Sequence, residues 1–251
     1  MADPLETLDV ACIRAHNAGP LTLSGTNSWI VGRDPAWIVD PGPALDEHLE
    51  RLSREVLARG GAGGIALTHE HGDHSAGVPA LLQLLGAAVP VGSGLPLSGR
   101  LVLKDGAAFG PFVALALPGH APGHFGFLLS RQETSACFTG DAVLGEGSVF
   151  VAEDMAGYLN ALRNLKARDL DLLCPGHGPL VRDAAAHLDR YVAHRVAREN
   201  RVLAAWQQGL RSEGDLLDAV WEPLPDELRT AAARTLSAHL LKLRSEGRLP
   251  A

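Results

Sequence analysis

Aromatic side chains are scarce: Phe, Trp and Tyr together make up 5% of the 251 residues. A chain that grips single-stranded nucleic acid by base stacking needs several such platforms, and few are on offer. Cysteine is nearly absent. Cys12, Cys137 and Cys174 are odd in number, far apart and set in or beside apolar runs, with no CxxC spacing. That pattern excludes a disulfide framework and fits buried thiols in a reducing compartment. Positive charge is in deficit. The net charge of −7 argues against coating nucleic acid by bulk charge. Residues 1–181 carry the negative excess, whereas residues 182–251 are close to neutral. No apolar run reaches the roughly 18–20 residues needed to span a bilayer. Residues 1–10 carry acids in place of the basic start and apolar stretch of a signal peptide, and they lack the Arg and Ser of a transit peptide. The expectation is a cytoplasmic protein with no membrane partner.

A hydrophobic share of 46% is enough to bury a core, and Gly 28 and Pro 16 supply frequent turns. Short apolar runs at 10–14, 28–32 and 36–40 read as strands. Residues 45–57 have helical spacing and stop before Gly60-Gly61. A buried strand follows at 64–68, then a helix near 76–85. Strand-like pieces come at 88–91, 101–104, 113–117, 124–129 and 136–139, before a helix over 155–168 and a strand over 171–174. Alternating strand groups and helices predict an α/β fold, with two sheets flanked by helices in a four-layer αββα sandwich. From about Asp183 the texture becomes helical, with segments to about 209, at 214–221 and at 225–243. Domains are therefore expected over 1–182 and 183–251. Short joints suit a helix-turn-helix or winged-helix module; the plainer alternative is a bundle that caps the first domain or forms a homodimer.

Polar clusters sit where strands stop, the place where ligands bind in α/β folds. His69-Glu-His-Gly-Asp-His74 places three imidazoles and a carboxylate within six residues. Zinc takes such nitrogen and oxygen donors at about 2.0–2.2 Å. His69 and His71 are two apart and share a side of an extended chain. Asp73 and His74 follow the turn that Gly72 permits. Pro118-Gly-His-Ala-Pro-Gly-His124 adds a further donor, and spacing alone leaves His120 and His124 equally eligible. Asp141 ends a strand, and its two oxygens can bridge two cations; His177 stands in a Gly/Pro turn after another strand.

This set resembles the metallo-β-lactamase superfamily, marked by HxHxDH, a later His in a PGH turn, an Asp after a strand and a last His. The resemblance implies a metallo-β-lactamase sandwich with two zinc ions, iron or manganese being able to replace them. It implies His69, His71 and His120 on the first ion, Asp73, His74 and His177 on the second, and Asp141 between them. It settles the choice for His120 and leaves His124 behind the ligands, together with Asp40 of Ile-Val-Asp-Pro-Gly42. Further segments, 25–32, 140–147, 174–179, His194-Arg195, Arg198-Glu199 and 239–243, are similar to the β-lactamase-like protein 2 group. That group carries a winged-helix-like C-terminal segment. Its animal member is a single-strand-specific endoribonuclease, and fungal relatives are thioesterases on polyketide carriers. True β-lactamases have Cys where Asp141 stands, so lactamase activity is not implied.

The expected reaction is cleavage of an ester-type bond by hydroxide held between two ions, with Asp73 orienting it and accepting a proton. A phosphodiester of single-stranded RNA is one substrate. A small-molecule thioester, as for a thioesterase or a glyoxalase-II-like hydrolase, is the alternative. A non-catalytic nucleic-acid-binding module is the reading from another class. His187, Arg190, His194, Arg198 and Arg201 follow 3–4 spacing, which predicts one basic helix face. His194, Arg195 and Arg198 are the candidates there for binding an anionic substrate; the alternative is a solvated face paired with nearby acids.

Overall fold

A computed structural model describes residues 3–250. Met1, Ala2 and Ala251, the outer ends of the two expected domains, lie outside the described residues. The first sheet holds β1 (Val10–Arg14), β2 (Asn27–Val31), β3 (Ala36–Val39), β4 (Ala62–Ala66), β5 (Val91–Ser93) and β6 (Leu101–Val102), in that spatial order. The second runs β11 (Leu172–Pro175), β10 (Thr134–Gly140), β9 (Phe125–Arg131), β8 (Phe112–Ala116), β7 (Ala108–Phe109). The helices are α1 (Pro4–Leu8), α2 (Asp46–Ala58), α3 (Gly72–Ser75), α4 (Val78–Leu85), α5 (Met155–Lys166), α6 (Ala184–Gln207), α7 (Glu213–Val220) and α8 (Asp226–Ser245). None is long and apolar enough to cross a membrane.

Side chains that alternate along each strand build the four layers. Trp29, Val31 and Val39 of the first sheet face Phe112, Phe127, Phe138 and Leu172 of the second, forming the inter-sheet core. Their neighbours Ile30, Ile38 and Ile65 point the other way, onto Leu49, Leu52 and Val56 of α2 and Leu81 of α4. On the far side Cys137 and Leu173 meet Tyr158, Leu162 and Leu165 of α5 and Leu188 and Tyr191 of α6. The αββα sandwich read from the sequence is the architecture observed. Parallel pairing of β3 with β4 and of β10 with β11 requires crossovers, which α2 and α5 provide.

The five-residue α1 was not expected. Asp3 caps it by accepting from Leu5 N, and Pro4 starts it, but five residues are too few to show a helical period. The expected break at 182/183 has a different character from a linker. Asp183 caps α6, accepting from Ala186 N. The first half of α6 packs with α5 through Ala184, Leu188 and Tyr191. Its second half, through Val202 and Ala205, packs with Leu216, Leu217 and Val220 of α7 and Leu236 and Leu243 of α8.

A charged knot fastens the helical end. Glu199 of α6 is 4% exposed and meets Lys242 Nζ at 2.9 Å, His239 Nδ1 at 3.7 Å and the Arg248 guanidinium. Burial pushes its carboxyl up, but His239, Lys242 and Arg248 outweigh that and bring it down to about 2, from an ordinary 4.5. A lowered folded pKa means stabilisation that is complete above the ordinary value and lost as pH falls through the folded one. Glu199→Gln should therefore lower Tm near neutrality. Scanning calorimetry should show that gap closing as pH falls from 4.5 towards 2.

Candidate metal centre

Four strands of the two sheets end on one side of the sandwich, and each delivers donors there. The segment after β4 carries His69, His71, Asp73 and His74, the turn after β8 carries His120, the end of β10 carries Asp141, and the turn after β11 carries His177. Close backbone approach makes this possible. A Cβ on Gly140 would stand 2.3 Å from Thr68 Oγ1, and one on Gly176 would stand 2.5 Å from Asp141 Oδ1. Glycine is required at both positions.

The donor atoms form three groups whose members lie within 4.8 Å of one another: His69, His71 and His120; His69, His74 and Asp141; Asp73, His74 and His177. His71 Nδ1 is 2.9 Å from His69 Nε2 and 3.1 Å from His120 Nε2. His74 Nε2 is 3.2 Å from His177 Nε2, and Asp73 Oδ2 lies 3.1 Å from His177 Nε2 and 3.4 Å from His74 Nε2. Asp141 stands between the groups, 3.5 Å from His74, 3.4 Å from His177 and 3.7 Å from His120.

The far side of each ring explains what these contacts are. His69 Nδ1 donates to Thr68 Oγ1 at 3.0 Å, since that hydroxyl gives its own hydrogen to Asp40 Oδ2 at 2.6 Å. His74 Nδ1 donates to Asp40 Oδ2 at 2.8 Å. His120 Nδ1 donates to Phe150 O at 3.1 Å and His177 Nδ1 to Gly25 O at 3.3 Å. With Nδ1 committed in this way, each ring turns its Nε2 inward, as a lone pair wherever the ring is neutral. Facing lone pairs at 3 Å repel unless positive charge sits among them. Donors about 2.0–2.1 Å from a tetrahedral ion stand about 3.3 Å apart, so these edges fit a coordination shell. Asp141 Oδ1, buried and without a hydrogen-bond partner, fits it as well.

The electrostatics agree. Burial disfavours a charged His74, yet Asp141 and Asp40 outweigh burial and hold its pKa well above the ordinary value. Burial opposes charge on His177 too, but hydrogen bonds to Asp141 and Asp73 raise it to about 9. Burial, then the neighbouring His74 charge, puts His69 well below its ordinary value. Asp141 stays well below the carboxylate range despite its burial, because of His74 and His177. The carboxylates thus favour positive charge on His74 and His177, while buried His69 is held neutral.

Asp40 is placed where the sequence put it, behind the donors. His124 is also adjacent, but it makes no hydrogen bond. Its ring stacks on His69 at 4.9 Å, and both its nitrogens are buried without partners. Thr68 and Phe150 went unnoticed in the sequence: a hydroxyl beside His69 gives a weak signal, and a backbone carbonyl gives none.

The expected basic face on α6 needs correction. His187 is buried, with Nε2 on Leu144 O at 2.8 Å. Arg195 is 2% exposed, with its guanidinium on Val149 O, so it offers nothing to an anion in solution. Arg198 lies 4.3 Å over the Trp221 ring. His194 is pushed down to about 4 by burial and then by Arg195, so it is uncharged near neutrality. It lines a separate depression of 470 Å³ with Arg190 and Glu146.

A family model described as the metallo-β-lactamase superfamily matches residues 21–97 and 91–177. The chain belongs to the metallo-β-lactamase superfamily. A second model, the β-lactamase associated winged helix domain, matches residues 212–249, which identifies the helical end. Among superfamily relatives, the β-lactamase-like protein 2 homolog of Caenorhabditis elegans is 32% identical over 98% of this chain and 88% of its own length. The lactamase-like protein adaB of Aspergillus niger is 33% identical over 94% and 80%. A metallo-β-lactamase family protein of Thermus thermophilus shares the fold, with a TM-score of 0.77 and 22% identity over 95% and 94% of the two chains. The protein TTHA1623, solved in a di-iron-bound form, gives a TM-score of 0.51 and 27% identity over 67% and 93%.

In this superfamily member four of the donors, His71, Asp73, His120 and Asp141, line a cavity of 770 Å³. Leu21 and Leu23 line one side, residues 144–152 another, and α8 contributes Glu227, Leu228, Ala231 and Arg234.

Asp40, 1% exposed, carries the hydrogen bonds of Thr68 N, Thr68 Oγ1 and His74 Nδ1. Asp40→Ala strands these buried donors and should cost about 3–5 kcal/mol of unfolding free energy, measured by chemical denaturation.

Proposed function

We propose that the protein is a divalent-metal-dependent hydrolase that cleaves an ester-type bond, a thioester foremost, in a small molecule with an apolar body and an anionic group. Seven converging donors, of which His71, Asp73, His120 and Asp141 line an apolar-walled cavity, support the reading most directly. His69, His71 and His120 would hold one ion and Asp73, His74 and His177 a second, with Asp141 reaching both. Imidazole and carboxylate donors suit zinc, and they suit iron as well. Bound divalent cations would supply Lewis acidity, making water acidic enough to attack and offsetting negative charge on the attacked group.

The residues of the chain divide the remaining work. Asp73 is partly open to the cavity, and its Oδ2 accepts from Thr26 Oγ1 at 3.4 Å. Burial raises its carboxyl, but His177 and His74 outweigh this and keep it below the ordinary range, ionised near neutrality. It can orient water and take its proton. Leu21, Leu23, Leu144, Val149, Phe150 and Leu228 favour an apolar group. Arg234 is exposed in the cavity wall, with no ion pair or side-chain hydrogen bond among the described residues. Its charge reaches His71, adding to burial in lowering that imidazole. It is placed to take a carboxylate or phosphate of the substrate. Glu146 and Glu227 in the same wall oppose a polyanion. With His187 and Arg195 buried in α6, this weighs against RNA, although Arg190 and Arg201 stay exposed.

The test is metal analysis of protein purified with zinc present, run beside hydrolysis of anionic thioesters, neutral thioesters and single-stranded RNA. Two ions per chain and thioester cleavage abolished by chelation are expected. Asp73→Ala should lower kcat at least about 10²-fold. Arg234→Ala should raise KM about tenfold for the anionic thioester and leave the neutral one nearly unchanged. A protein that takes up no metal, or that prefers RNA, refutes the proposal.

A further inference from the structure

Between Asp141 and α5 the chain crosses the site as a strap, residues 144–152, with no helix or strand of its own. Two donor histidines lean on it. Gly145 N donates to His177 O at 2.9 Å, and Phe150 O accepts from His120 Nδ1 at 3.1 Å. The second contact decides which nitrogen of His120 is bare and where it points. The carbonyl of Phe150 can do this only if the strap stays in place.

The groups that hold the strap come from α6 and α8. Leu144 N donates to the Tyr191 hydroxyl at 2.8 Å, and Leu144 O accepts from His187 Nε2. Val149 O accepts from the Arg195 guanidinium. Val151 N donates to Thr235 Oγ1 at 3.0 Å, and that hydroxyl passes its own hydrogen to Ala231 O at 3.1 Å. The residues on either side of Phe150 are thus gripped from two different helices. Arg195 is the more telling of the two. It is buried and pairs with no carboxylate among the described residues; the Tyr158 ring, 5.8 Å away, is its other cushion. A buried cation without a counter-ion is costly. Packing does not call for one, because an apolar side chain would fill the same space.

We propose that Arg195 and Thr235 are positioning residues for His120. They fix the peptide on either side of Phe150 and, through its carbonyl, the tautomer and aim of the imidazole. The winged-helix end is then a working part of the metal centre, in addition to walling the cavity. This rests on the metal-dependent reading above.

The test uses the full chain and reads metal affinity, by titrating zinc against a chromophoric chelator, and the visible absorption of the cobalt-substituted protein. Thr235→Val keeps the shape and removes the acceptor. It should weaken one of the two ions about 10–100-fold and leave the other as in wild type, with an altered cobalt spectrum. Thr235→Ser should restore both. Arg195→Met should act like Thr235→Val, with Arg195→Lys as its partial rescue. That pair carries the comparison if Thr235→Val does not fold. Wild-type affinities in Thr235→Val and Arg195→Met, or parallel loss of both ions, overturn the inference while the metal-dependent reading stands. A wild-type protein that binds no ion overturns both.

Discussion

Imidazole nitrogens crowded to about 3 Å of one another are the constraint on which this structure turns. They arise because each far nitrogen is already committed: His69 to Thr68, His74 to Asp40, His120 to Phe150 O and His177 to Gly25 O. Those acceptors come from the ends of two strands of the first sheet, a loop before β2 and the strap. The rings cannot turn away from one another without breaking buried hydrogen bonds. The sandwich therefore holds a crowd of nitrogen and carboxylate donors at one rim.

The αββα order was legible because its cause is local. Trp29, Ile30 and Val31 alternate between two cores, and a period of two shows in any short apolar run. The seven donors were legible for a different reason: histidines and acids after strands are chemically conspicuous, and their chain order matched a known pattern. The parts that stayed hidden belong to the backbone or depend on tertiary placement. Phe150 matters through its carbonyl, which no side-chain pattern encodes. Arg234 looks like any helical arginine until α8 is seen against the cavity.

The basic stripe on α6 shows how periodicity can mislead. The spacing of His187, Arg190, His194, Arg198 and Arg201 does put them along one helix face. Periodicity cannot say whether water or protein covers that face. Here the strap covers His187, whereas Arg190 and Arg201 stay exposed. Arg195 holds a carbonyl, and Arg198 rests on Trp221.

Because α6 runs unbroken for 24 residues through two hydrophobic clusters, one helix both packs on the sandwich and carries the packing surface of α7 and α8. Motion that swung α7 and α8 outward would have to strip Leu216, Leu217, Val220 and Leu236 from Val202 and Ala205. Amide protons on either side of residue 183 should therefore share one cooperative opening rather than exchange as separate units. A tail seated in this way takes part of its core from α6, so residues 212–249 cut away alone would leave that core open.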